Sequence, residues 1–155
     1  LAFEGGEPGA MKRKPRQPNE KIFNRQMILQ SSVSAVVIGM LAFGIWYWLL
    51  CVQEVEESLA RNSVLLLMVL MQNVHVFNCR SESVSAFQVP LSRNTLLVFG
   101  VLIAQGVHIG SMYLPFMQSV LRIQPVEWQQ YGLYLLLAGV VLVIMELFKL
   151  LRKNV

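Results

Sequence analysis

Charge is scarce in this chain. Only 14% of its 155 residues are Asp, Glu, Lys or Arg, against about a quarter in a soluble domain. With 55% hydrophobic residues and a mean hydropathy of +0.52, that scarcity excludes an ordinary soluble globular fold. Cysteine is nearly absent. Cys51 and Cys79 fall near opposite ends of two successive apolar runs, about a bilayer apart, so one disulfide cannot join them. Disulfide-generating membrane chemistry, which needs paired cysteines, is thereby excluded. Histidine is as rare. His75 stands about four residues from its helix end and His108 about thirteen from its own, an axial offset on the order of 13 Å, which argues against a haem held between them. Acidic residues are almost missing from the apolar runs as well. Glu146 is the one acid well inside such a run, and Lys149 three residues on makes a snorkelling ion pair the expected arrangement.

What remains is long apolar sequence. Four runs cover about 31–52, 59–79, 95–114 and 131–151. At about 1.5 Å rise per residue each is long enough to cross a hydrocarbon core of about 30 Å. None alternates with the period of two that a barrel strand requires, and backbone in lipid must satisfy its own hydrogen bonds, so each run is expected to be an α-helix. The expected fold is an all-α integral membrane protein, a four-transmembrane-helix bundle over 29–155, preceded by a basic Pro/Gly-rich arm over 1–28. Gly5, Gly6, Pro8, Gly9, Pro15 and Pro18 keep the arm from forming helix. The apolar run after its positive cluster is too long for a signal peptide. The chain opens at Leu1 without an initiator Met, which reads as part of something longer.

The few charges orient the bundle. Lys12, Arg13, Lys14, Arg16, Lys21 and Arg25 precede the first run, Arg80 and Arg93 flank the loop after the second, and Lys149, Arg152 and Lys153 close the chain. Eleven of the 13 basic residues therefore lie on one side, and the positive-inside rule makes both termini cytoplasmic. All three Trp and all four Tyr fall at the opposite helix ends, as an aromatic interface belt does. The net charge of +4 thus follows from topology. The expected partner is the lipid bilayer, of a plasma (inner) membrane, and not nucleic acid.

Polar residues inside the second and third runs need a use. On a helix Gln72, His75 and Asn78 share an arc of roughly 120°, while Asn73 points elsewhere. One reading is a cation or proton path, with the Gln72 amide oxygen as a hard-cation ligand. The other is interhelical hydrogen bonding, worth about 0.6 to 2 kcal/mol per contact, and physics alone favours it for Gln72 as for Asn73, His75, Asn78, Gln105 and His108. Small residues at four-residue spacing, Gly106 with Gly110, Gly100 with Ala104 and Ala35 with Gly39, are candidate positions for close helix packing.

The order of these features resembles the C-terminal membrane region of P-type cation-transporting ATPases, near the calcium-pump branch. Leu1-Ala2-Phe3-Glu4 is similar to the segment after the family's sixth membrane helix. Met11-Lys12-Arg13-Lys14-Pro15-Arg16-Gln17-Pro18-Asn19-Glu20-Lys21-Ile22-Phe23 resembles the loop into the seventh, Phe77-Asn78-Cys79-Arg80-Ser81-Glu82 the end of the eighth, and Glu146-Leu147-Phe148-Lys149 the close of the tenth. The resemblance implies helices seven to ten of an ATP-driven cation pump, for calcium, that uses ATP, Mg2+ and the transported cation and cycles through a phosphoenzyme. The phosphorylated Asp of an Asp-Lys-Thr-Gly motif and the carboxylates of the fourth to sixth helices are not in this chain, so no catalytic residue is expected here. It further implies one metal position. Calcium pumps with two sites place an acid on the eighth helix where Gln72 stands, and an amide there suits one ion per cycle or a different cation. Scaffolding is the expected role of the rest, with the other helices and cytosolic domains of the pump as partners. The rival reading is a self-contained four-helix structural subunit or small transporter. For an antiporter the first run lacks the necessary embedded acid.

Overall fold

A computed structural model describes residues 25–81 and 84–153. Among them are five α-helices, two short 3-10 turns and no strand: α1 (Arg25–Cys51), α2 (Glu57–Asn78), α3 (Thr95–Tyr113), α4 (Pro115–Leu121) and α5 (Trp128–Lys153). Four helices, α1, α2, α3 and α5, are long and apolar enough to span a membrane. The four expected helices are therefore present. Their ends differ by a few residues, most at the start of α1, which reaches back to Arg25 and makes helical four residues expected in the arm. Arg25 and Gln26 are good helix formers with nothing before Met27 to stop the helix. The rest of the arm lies outside the described residues.

The fifth helix was not expected. Pro115 occupies the first turn of α4, where its fixed φ is already helical and its missing N–H is not needed. Arg122 ends α4 in the left-handed region at φ 51°, and its carbonyl accepts from Arg61 Nη2 at 3.4 Å. Ile123 then turns into the bundle and is buried.

The core is a seam between α2 and α5, the most extensive helix contact in the chain. Tyr134, Ala138, Val141 and Met145 recur at spacings of four and three along α5, and Leu66, Leu67, Leu70 and Met71 line α2; all are buried. That spacing keeps one stripe of each helix against the other. Ser63 hydrogen-bonds Tyr134 near one end of the seam and the Asn78 carbonyl accepts from Lys149 at the other. Both pairs are 71 residues apart, so α2 and α5 run parallel in constant register. α1 lays Val33, Val37, Ile38, Leu41, Ala42 and Ile45 against this seam and exposes Val36, Met40, Phe43 and Tyr47. The third span is the outermost: Met112 is the one buried residue of α3.

The small-residue seams expected from sequence are not made among the described residues. A Cβ built on Gly39, Gly100, Gly106 or Gly110 meets nothing within 4 Å. α1 and α3 are apolar over most of their surface, so the spacing of their glycines does not say which face meets a neighbour, and in this fold the seam is built from larger side chains.

Candidate functional site: polar side chains around the second span

α2 distributes its polar residues over three surroundings. Gln72 is exposed, following Arg61, Leu65 and Met68 on one exposed stripe at three- and four-residue spacing. Asn73, one position on, points to α3. Its Nδ2 donates to Gln105 Oε1 at 2.8 Å, and Gln105 Nε2 donates to Tyr131 Oη at 2.5 Å. A chain of three side chains therefore joins α2, α3 and α5 where little apolar packing holds α3. His75 is half-buried, its Nε2 3.4 Å from Cys79 Sγ one turn on. Asn78 is fully buried against α5.

The shared arc expected for Gln72, His75 and Asn78 therefore runs from an exposed flank into the seam, and the three do not line one path. His108 on α3 is half-buried, and Ser111 Oγ donates to its carbonyl at 2.7 Å. The side-chain amides of Asn78 and Asn62, His75 Nδ1 and His108 Nε2 have no hydrogen-bond partner among the described residues. Asn62 and Ser63, both buried, escaped the sequence reading. The signal was present, since Ser63, Leu67, Leu70 and Asn78 fall on the same stripe, but only α5 reveals that this stripe is the core.

The last turn of α2 opens into a tied loop. Ser81 Oγ accepts from Val84 N at 2.9 Å, and Ser85 caps a 3-10 turn, Ala86–Gln88, by accepting from Phe87 N. Glu146 of α5 accepts from Ala86 N at 2.9 Å, while Lys149 donates to the carbonyls of Asn78 and Val84 at 2.8 and 3.2 Å. Arg80 donates to the carbonyls of Val89 and Pro90 at 3.1 and 3.0 Å. Glu146 and Lys149 lie 3.5 Å apart with side chains 11% and 4% exposed. The pair is thus formed but does not snorkel. Groups of the loop, with the Asn78 carbonyl, hold both heads, because 84–86 folds over the end of α5. Burial raises the Cys79 thiol above its ordinary pKa, with Lys149 pulling the other way; both thiols of the chain are free.

None of the described residues gather three or more His, Cys, Asp or Glu side chains able to hold a metal. Gln72 is a single neutral oxygen donor on an open face, and a cation would need further ligands from elsewhere.

The family described as cation transporting ATPase, C-terminus, matches residues 1–151. The chain belongs to this family. It is similar to the cation-transporting ATPase pma1 of Synechocystis, 25% identical over 88% of this chain and 16% of that protein. It is similar also to calcium-transporting ATPase 1 of Bacillus cereus, 26% identical over 99% and 19%, and to a calcium-transporting ATPase of Bacillus subtilis, 32% identical over 83% and 15%. The chain spans less than a fifth of the length of these relatives. As a member of this family it is the C-terminal membrane region of a P-type ATPase, and its four apolar spans place it in a membrane.

Proposed function

We propose that these residues form the steady membrane end of an ATP-driven calcium pump and lend its cation pathway one neutral ligand, Gln72. ATP, Mg2+ and the phosphorylated Asp belong to parts of the pump outside this chain, which contains no Asp at all. The observation that carries the reading is the position of Gln72. It is a polar side chain on a stripe with Leu65 and Met68 that no described residue covers, and a polar group in a membrane helix faces protein or water. Helices outside these residues supply that surface. Asn73 and Gln105 hold α3 through hydrogen bonds, while His75, Asn78 and His108 sit in packing positions. The basic arm over 1–28 leads into the bundle over 29–155, with both termini on the cytoplasmic side of the plasma membrane.

The test is made in the intact pump. Gln72→Ala removes the amide oxygen and raises the calcium concentration for half-maximal ATPase activation several-fold; Gln72→Glu supplies the missing charge and lowers it. Unchanged calcium activation in both variants shows that Gln72 is not a ligand. Activity that calcium does not stimulate at all refutes the choice of ion.

A further inference from the structure

The loop between α2 and α3 has apolar side chains turned outward and backbone groups bonded inward. Phe87 is 76% exposed and Leu91 57%. Behind them Val89 is buried, and much of the backbone is taken up by the protein's own groups: Val84 N by Ser81 Oγ, Ala86 N by Glu146, Phe87 N by Ser85 Oγ, and Gln88 N by the Ser85 carbonyl. The carbonyls of Val84, Val89 and Pro90 receive Lys149 and Arg80, and Arg93 N donates to the Pro90 carbonyl. Pro90 has no N–H to satisfy. A loop in water needs none of this, because water satisfies exposed backbone without cost to the fold. Backbone at the level of acyl chains must be satisfied by protein. The side chains agree: from Val84 to Asn94 the one charged residue is Arg93.

Continuity identifies what covers the exposed face. Leu91 begins the apolar stretch Leu91–Tyr113 that is long enough to cross the membrane, and Leu96, Phe99 and Ile103 carry the same exposure along α3. Phe87 stands one short turn ahead of that stripe. We propose that the 84–94 loop is an interfacial membrane anchor, in which Phe87 and Leu91 enter the acyl chains of the adjoining leaflet and Glu146, Lys149 and Arg80 hold the loop at that depth. The anchor fixes the height of the bundle in the bilayer at the end where α2, α3 and α5 meet, on whichever side of the membrane that end lies.

Accessibility of a nitroxide at position 87 tests the anchor in the intact pump, with its other cysteines replaced by Ser, in vesicles of phosphatidylethanolamine and phosphatidylglycerol. Oxygen concentrates among acyl chains and a nickel chelate stays in water. Labelled Phe87→Cys is expected to give an oxygen-to-nickel collision ratio several-fold above that of labelled Gln53→Cys, in the exposed turn between α1 and α2, and near that of labelled Phe99→Cys. A ratio equal to that at Gln53 places the loop in water and overturns the proposal. Low collision rates with both reagents mean that a protein domain covers Phe87 and overturn it equally. If labelled protein fails to assemble, Phe87→Trp reads the same depth. Brominated acyl chains quench the fluorescence it adds, and an unquenched increment refutes the anchor.

Discussion

Removing the ammonium of Lys149 separates a buried clasp from a surface ion pair. Lys149→Met keeps a long unbranched side chain but withdraws the donor from the Asn78 and Val84 carbonyls and the counter-charge from Glu146, 3.5 Å away. Breaking a buried pair from one side costs about 3–5 kcal/mol, because the remaining charge is uncompensated. Glu146→Gln is milder. Its amide oxygen still accepts from Ala86 N, and the Lys149 ammonium it leaves unpaired keeps the Asn78 and Val84 carbonyls, so the loss is about 1.5–3 kcal/mol. The double variant removes the stranded carboxylate and recovers about 1–3 kcal/mol relative to Lys149→Met alone. Arg152→Met, exposed on the last turn of α5, is the control and stays within about 0.5 kcal/mol. Cys79 adjoins the clasp and can report its opening. In intact protein with Cys79 as the only cysteine, a thiol-reactive dye followed during heating is expected to react at the lowest temperature in Lys149→Met. The double variant and Glu146→Gln follow, and the control comes last. If Lys149→Met melts with Arg152→Met, or the double variant falls below Lys149→Met by the full cost of Glu146→Gln, the clasp carries no coupling and the reasoning is wrong.

Other consequences are simpler to read. Gln105→Leu deletes both bonds of the Asn73–Gln105–Tyr131 chain and should destabilise the attachment of α3 by about 1–2 kcal/mol. An Asn73→Leu/Gln105→Leu double variant no worse than Gln105→Leu confirms the pairing by thermal melting in detergent, and full additivity refutes it. Asn94 caps α3 by accepting from Leu97 N at 3.0 Å, so Asn94→Ala should cost about 1 kcal/mol and speed amide exchange in the first turn of α3. Cys79 has its thiol pKa raised by burial, so the neutral thiol favours the folded state. That contribution is complete below the ordinary thiol pKa and is lost as pH rises through the raised one. Maleimide labelling of native Cys79 should therefore be slow at neutral pH and keep accelerating past the pH at which a free thiol levels off. A plateau at the free-thiol value contradicts the burial.

Gln72 and Asn78 show how far the second span could be read without coordinates. Their spacing placed both on one arc, which the helix obeys, yet one is exposed and the other is fully buried. An arc of that width on α2 reaches from the open flank to the α5 seam, and periodicity names an arc without naming its neighbour. Gly106 and Gly110 show the same limit in reverse. A helix apolar over most of its surface presents several similar faces, and their four-residue spacing marks one that meets nothing among the described residues. Glu146 and Lys149 were legible as a pair from their three-residue spacing, but not as a clasp, because their partners lie 60 to 71 residues away in the chain.

The sequence by itself determined that this is a four-span helical membrane protein, since hydropathy over about 20 residues and the demand for internal backbone hydrogen bonds are local constraints. The order of its short motifs, read as a resemblance, pointed to the family to which the chain belongs. Tertiary structure alone decided that α2 and α5 form the seam, that α3 is tethered by amides, and that an acid and a lysine near the chain's end bind a loop instead of reaching for water. Those outcomes depend on which surfaces meet. Between helices in lipid no hydrophobic gradient makes that choice, so shape and hydrogen bonding, which exist only once the helices are assembled, make it.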